Sequence, residues 1–185
     1  DLVTGVQTCA LPIYDLRAAI QDDTKLIALM AVNNETGVKN DVEGIAKIAQ
    51  EFDIPFFLDA VALVGKERFS VPEGVSALSF SGHKIHAPKG VGVLYSKPQF
   101  RFHSLVTGGG QESGKRGGTE NILGIIALAQ AVKILNDHQD AHIEKMTRLR
   151  DLFESSLLEQ LPNIHVNGRS EEHTSELQSP DHLVC

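Results

Sequence analysis

The stretch Ser79-Phe80-Ser81-Gly82-His83-Lys84-Ile85-His86-Ala87-Pro88-Lys89-Gly90 sets a lysine between a strand-like run, Val75 to Phe80, and a Pro-Lys-Gly turn. A hydroxyl, a glycine and an imidazole come just before it. A strand end holds an amine rigidly and a glycine lets a bulky ligand approach the backbone, so Lys84 sits where a protein places an amine meant to react. Taken alone, the same four residues also describe an ordinary lysine in a surface turn. A second candidate is Asp59, which ends the apolar run Ile54 to Leu58. Partial desolvation of a carboxylate there costs on the order of several kcal/mol unless a cation pairs with it, which makes a cationic ligand an attractive partner. Asn33 and Asn34 follow another apolar run and are turn formers by default. His83 and His86 have no cysteine or third ligand nearby, so packing or hydrogen bonding suits them better than a metal.

The elements that must position these residues follow from periodicity. Leu16, Ala19 and Ile20 predict a short helix within Tyr14 to Lys25. Leu26 to Val32 is a continuous apolar run, as in a parallel strand covered on both faces. Asp41 caps a helix from Val42 to Phe52, whose apolar stripe is Val42, Ile45, Ile48, Ala49 and Phe52. Ile54 to Leu58 is then a buried strand, completing a βαβ unit with a right-handed crossover. Ligands bind beyond the carboxyl ends of such strands, which brings Asn34, Asp59 and the Lys84 region to one crevice. Ala77 to Phe80 and Val91 to Tyr95 read as strands flanking the lysine turn, and Phe100 to Leu105 as a weaker one. Thr119 caps a helix from Glu120 to about Asn136, and a second, amphipathic helix runs from about Asp140 to Gln160 with Ile143, Met146, Leu149, Leu152, Phe153 and Leu157 on one face. Ile164 to Val166 looks like a further strand.

The glycine-rich segment Gly108 to Thr119 contains a decoy. Gly109 to Lys115 fits the spacing of a nucleotide-phosphate loop, but Arg116 stands where that motif needs a magnesium-binding hydroxyl. As a general anion-binding loop before a helix it remains credible.

Composition fits a globular protein, 42% hydrophobic and 22% charged at net −7. Both ends qualify this. Back-translated with suitable codons, Val3 to Ile13 gives a DNA whose complementary strand encodes Arg169 to Ser179, and this DNA resembles a short-read sequencing adapter. Residues 1–13 and 169–185 are therefore expected to be adapter-derived tails around a native span, Tyr14 to Gly168, and are set aside from fold reasoning. The tails hold Asp1, Glu171, Glu172, Glu176 and Asp181 against Arg169, so the span is less acidic than the whole and carries neither a nucleic-acid footprint nor an acidic tail. Cys9 and Cys185 both lie in the tails, which voids any argument about redox compartment. No apolar run reaches the roughly 18 residues of a membrane span.

Together, Val32 to Val38 (VNNETGV), Leu58 to Val61 (LDAV), Ser79 to Tyr95 (SFSGHKIHAPKGVGVLY) and Gly108 to Asn121 (GGGQESGKRGGTEN) resemble, in order and spacing, the cysteine desulfurases of the NifS/IscS kind. These belong to the class V aminotransferase group of fold-type I pyridoxal-phosphate enzymes. The resemblance covers Tyr14 to Gly168. It implies an α/β fold: a partial large domain, 14–138, built on a mostly parallel sheet with flanking helices, and the start of a small C-terminal domain, 139–168. It implies pyridoxal 5'-phosphate as cofactor, with Lys84 forming the Schiff base and later shuttling protons. Asp59 would pair with the pyridine nitrogen, Asn34 would bond the ring's phenolic oxygen, and Ser81 and His83 would hold the phosphate. Thr119 would reach the phosphate of the other subunit's cofactor, hence a homodimer. The implied activity converts L-cysteine to alanine and delivers persulfide sulfur to an acceptor or scaffold protein for iron-sulfur cluster or thio-cofactor assembly, in the cytoplasm, with no nucleic-acid or membrane partner.

Two positions depart from the pattern. Many members carry a glutamine where this chain has Ala62, and relatives often carry arginine at Ser113. The family's N-terminal phosphate loop, ring-stacking histidine, substrate-carboxylate arginine and sulfur-accepting cysteine all fall outside Tyr14 to Gly168, so the chain by itself is expected to be inactive. A selenocysteine lyase or other class V transferase, and a translated assembly artefact around a gene fragment, are the alternatives.

Overall fold

A computed structural model describes residues 2–3, 13–161, 163–164 and 166 of the chain. Five strands, β1 (Leu2–Val3), β2 (Leu26–Met30), β3 (Phe56–Asp59), β4 (Ala77–Ser81) and β5 (Gly92–Ser96), form one sheet in the order β1-β2-β3-β4-β5. β1 to β4 run parallel and β5 is antiparallel to β4. Helices α1 (Ile13–Ala19) and α2 (Val42–Glu51) fill the first two crossovers, and α3 (Ile122–Gln160) follows the sheet.

The main core lies between α1, α2 and the sheet. Ile45, Ile48 and Ala49 of α2 meet Ile27, Phe56, Leu58 and Leu78 in one buried cluster with Leu16 of α1. Asp41 caps α2 as expected, its Oδ1 accepting the Gly44 N–H at 2.8 Å. Phe52 departs from the predicted stripe. It falls at the helix C-cap, 41% exposed, with the Arg17 guanidinium over its ring. β2 is also less enclosed than its apolar run suggests: Ile27 and Leu29 join the core, while Leu26, Ala28 and Met30 on the opposite face stay half-buried. β3 starts at Phe56 rather than Ile54, because Pro55 has no N–H for the ladder and contributes only its carbonyl, to Ile27.

The two helices expected after residue 119 are one. α3 runs unbroken for 39 residues, roughly 58 Å. The polar stretch Asp137 to Asp140 contains no glycine or proline to stop it, and it passes through the expected boundary between residues 138 and 139. Its N-cap is Asn121, which accepts the Gly124 N–H, instead of Thr119. Residues 100–106 carry no strand. Ile164 and Val166 are likewise outside any strand, and His165 between them lies outside the described residues.

Candidate active site

β4 and β5 form a hairpin whose last residue pair is Ser81 with Gly92, so its connection is the lysine segment itself. The chain leaves β4 into a 3₁₀ turn, Gly82–Ile85, closed by the Ala87 N–H donating to the Gly82 carbonyl. Gly82 serves this hairpin and not an incoming ligand: it is buried, and a Cβ there would come within 2.9 Å of the Val91 carbonyl oxygen. Ile85 and Ala87 anchor the turn in a second apolar cluster with Leu128 of α3. The side chains of His83, Lys84 and His86 remain exposed between these anchors.

The parallel register brings the other predicted residues to the same end of the sheet. Met30 pairs with Asp59, and Asp59 with Ser79, so the carboxyl ends of β2, β3 and β4 lie side by side. Asn34 follows β2 on an exposed turn in which the Asn33 side chain accepts the Glu35 and Thr36 N–H groups, and its own amide donates to Glu35. Asp59 is half-buried, with one carboxylate oxygen accepting the Val61 N–H at 2.9 Å. Ser81 Oγ and His83 Nδ1 share a hydrogen bond at 2.7 Å. Among the described residues no group pairs with the Lys84 amine.

Thr119 is placed apart. It lines a hollow of about 960 Å³ with residues of β5, Arg116 and Asn121, which does not include Lys84. The glycine segment does not act as a nucleotide loop in this fold. No strand leads directly into it, since residues 97–107 carry none, and Lys115 turns toward Ser96 Oγ at 3.2 Å and the Phe102 ring. His83 and His86 likewise join no cluster of three metal-ligating side chains among the described residues.

Lys84 opens onto a cleft of about 520 Å³ between the lysine turn, Gly65 and Lys66, and the segment of α3 from Ala127 to Leu149. Lys66, His86, His142 and Lys145 join Lys84 around it; among the described residues no carboxylate lines it, and Asn34, Asp59, Ser81 and His83 lie outside its lining. Sequence reasoning missed the α3 wall. The spacing of Ala127, Ala131 and Ile134 marks one helix face, but only the fold shows that this face crosses Lys84. Beside the cleft, Arg68 binds Asp140 through Nε and Nη2 at 2.5 and 3.0 Å. That hydrogen bonding, with the attraction between the charges, holds the Asp140 carboxyl below the usual carboxylate range.

An unpaired amine, a hydroxyl–imidazole pair and a half-buried carboxylate at adjacent strand ends suit a ligand with a carbonyl, an anionic group and a basic ring nitrogen. The aminotransferase class-V family model matches residues 4–179. The chain belongs to the class V aminotransferase family. The match runs into both end segments set aside as tails. Among curated class V relatives, the cysteine desulfurase IscS of Dictyoglomus turgidum is 43% identical over 155 residues, 83% of this chain and 39% of that protein. The chain thus spans about two fifths of the length of the curated relatives it matches. A solved NifS-like protein superposes with a TM-score of 0.78 at 35% identity, over 82% of this chain and 42% of the other. A structure described as SspA in complex with cysteine gives 0.65 at 38% identity, over 68% and 37%. Class V aminotransferases in general depend on pyridoxal phosphate, which the donor set at the strand ends fits.

Proposed function

We propose that this chain carries the cofactor-anchoring part of a cysteine desulfurase, which converts L-cysteine and an enzyme thiol to alanine and an enzyme persulfide. The observation that carries the reading is an unpaired Lys84 amine on a hairpin turn at the same sheet end as the Asp59 carboxylate and the Ser81–His83 pair, in a class V chain whose relatives are named cysteine desulfurases. Lys84 would anchor pyridoxal phosphate and move protons at the substrate carbon. Asp59, with one oxygen fixed by Val61, has its other oxygen for the protonated ring nitrogen. Ser81 and His83 would hold the phosphate, and Asn34 the phenolic oxygen. When bound, the cofactor supplies an electron sink conjugated to the substrate amine. Thr119, in its separate hollow, would serve the cofactor of a second copy, so the working unit is a homodimer that passes sulfur to an acceptor protein.

We also read residues 1–13 and 169–185 as translated adapter sequence. The pairing of Leu2–Val3 with β2 agrees with this, since an open strand edge accepts any short extended segment. Sequencing the source DNA across both junctions decides it, and a genomic reading frame through the tails would overturn it.

The functional test is Lys84→Ala. Mixed with pyridoxal phosphate and reduced with borohydride, the unsubstituted chain acquires the cofactor mass on the peptide containing Lys84, and the variant does not. The same change in the full-length protein abolishes alanine production. Equal labelling of other lysines in both proteins would sink the assignment.

A further inference from the structure

The Asn34 turn is a closed lobe. Val32 and Lys39 bridge its base, and the Gly37 N–H donates to the Asn33 carbonyl across it. From that base the Lys39 ammonium reaches Glu67 Oε2 at 2.6 Å, with both side chains only about a quarter exposed (28% and 24%). Glu67 ends the short segment that begins at Asp59, and the Val64–Glu67 bridge folds that segment back on itself. On its other side the same dipeptide holds α3: the Glu67 carbonyl accepts the Gln139 side-chain amide at 2.8 Å, and Arg68 forks onto Asp140. Apolar packing of α3 against the lysine turn ends near Leu135, while Leu149, Leu152 and Phe153 further along are about half exposed. The polar contacts at Gln139 and Asp140 thus tie the cleft-forming half of α3 to the strand-end loops.

We propose that Glu67–Arg68 is a positioning clasp, which sets the Asn34 turn and the segment after Asp59 at a fixed spacing from the α3 wall of the Lys84 cleft. What enters the cleft rests on the cofactor reading above; the mechanical coupling does not. Each arm of the clasp is a charge pair or an amide–carbonyl hydrogen bond between different elements, so loosening one arm releases the element at the other end as well. A merely local ion pair would release only its own neighbours.

The test is amide hydrogen exchange on the full 185-residue chain. Glu67→Gln keeps the side-chain shape and removes the Lys39 pair; Arg68→Ala removes the Asp140 fork. Each variant is expected to speed exchange by about fivefold, the upper end for such a pair, both in residues 33–39 and in residues 134–149. The swap of Lys39→Glu with Glu67→Lys restores slow exchange at both places, and Arg17→Ala, which breaks a pair between α1 and α2, changes neither. Exchange confined to the mutated end overturns the clasp. In parallel, the initial rate of borohydride-trapped pyridoxal phosphate capture at Lys84 is expected to fall about fivefold in both clasp variants, as the site loses its fixed spacing. Faster exchange with unchanged capture overturns the positioning role. Capture at lysines other than Lys84 in the unsubstituted chain would refute the cofactor reading and leave the clasp to be judged by exchange.

Discussion

Gly74 leaves no room for a side chain: a Cβ there would meet the Ala46 carbonyl oxygen at 2.0 Å and the Ala46 Cα at 2.9 Å. The next residue, Val75, is fully buried, so the loop entering β4 is pressed onto the backbone of α2. Gly74→Ala is therefore expected to destabilise the chain by about 2 kcal/mol, lowering the thermal midpoint by roughly 4–8 °C in calorimetry. An unchanged midpoint would mean the contact relaxes freely. Ala62, where many desulfurases carry glutamine, is half-buried against the main core and fills a packing position in this chain. Its methyl group can offer no hydrogen bond to a neighbour.

The first half of α3 is held by two different forces, apolar at Leu128 and polar at Asp140. Because Arg68 depresses the Asp140 carboxyl below its ordinary value of 3.8, the pair adds stability that is fully present above that value and is lost as pH falls through the lower folded-state value. The difference in thermal midpoint between the chain and Asp140→Asn should then be constant above about pH 5 and shrink in strong acid. An identical acid profile in the two proteins would show that the pair does not tie α3 in solution. Strands β2 to β5 and α2 were legible in sequence because each carries its own period or apolar run, whereas β1 lies in a segment set aside as a tail. The single length of α3 was not, since a polar stretch such as Asp137 to Asp140 reads as a linker until Arg68 and Gln139 show what it binds. For the candidate site, motif order pointed to Asn34, Asp59, Ser81, His83 and Lys84, and the parallel register brings the strands they follow to one sheet end. Lys66, His142 and Lys145 were invisible for the complementary reason: their place around the cleft depends on where α3 crosses the lysine turn, which no local pattern encodes.

Across the whole molecule, apolar surface is concentrated near the start of α3, where Leu123 is 82% and Ile126 62% exposed, and Leu94 and Tyr95 are exposed on the edge strand β5. Patches of this kind mark association surfaces or aggregation liabilities. The chain is expected to sediment above its 20.1 kDa monomer mass at micromolar concentration, and Leu123→Lys with Ile126→Lys to shift it toward monomer. A monomer in both proteins would remove the support for a homodimer. The strand order has a consequence of a different kind. Every strand lies beside the one that precedes it in the chain, with no later strand inserted between earlier neighbours. A nascent polypeptide can lay down such a sheet in the direction of synthesis, each new strand closing only the interval just completed. The lysine turn closes last among the strand connections, so on the ribosome the Lys84 amine is presented only after the carboxylate of Asp59 already has its place.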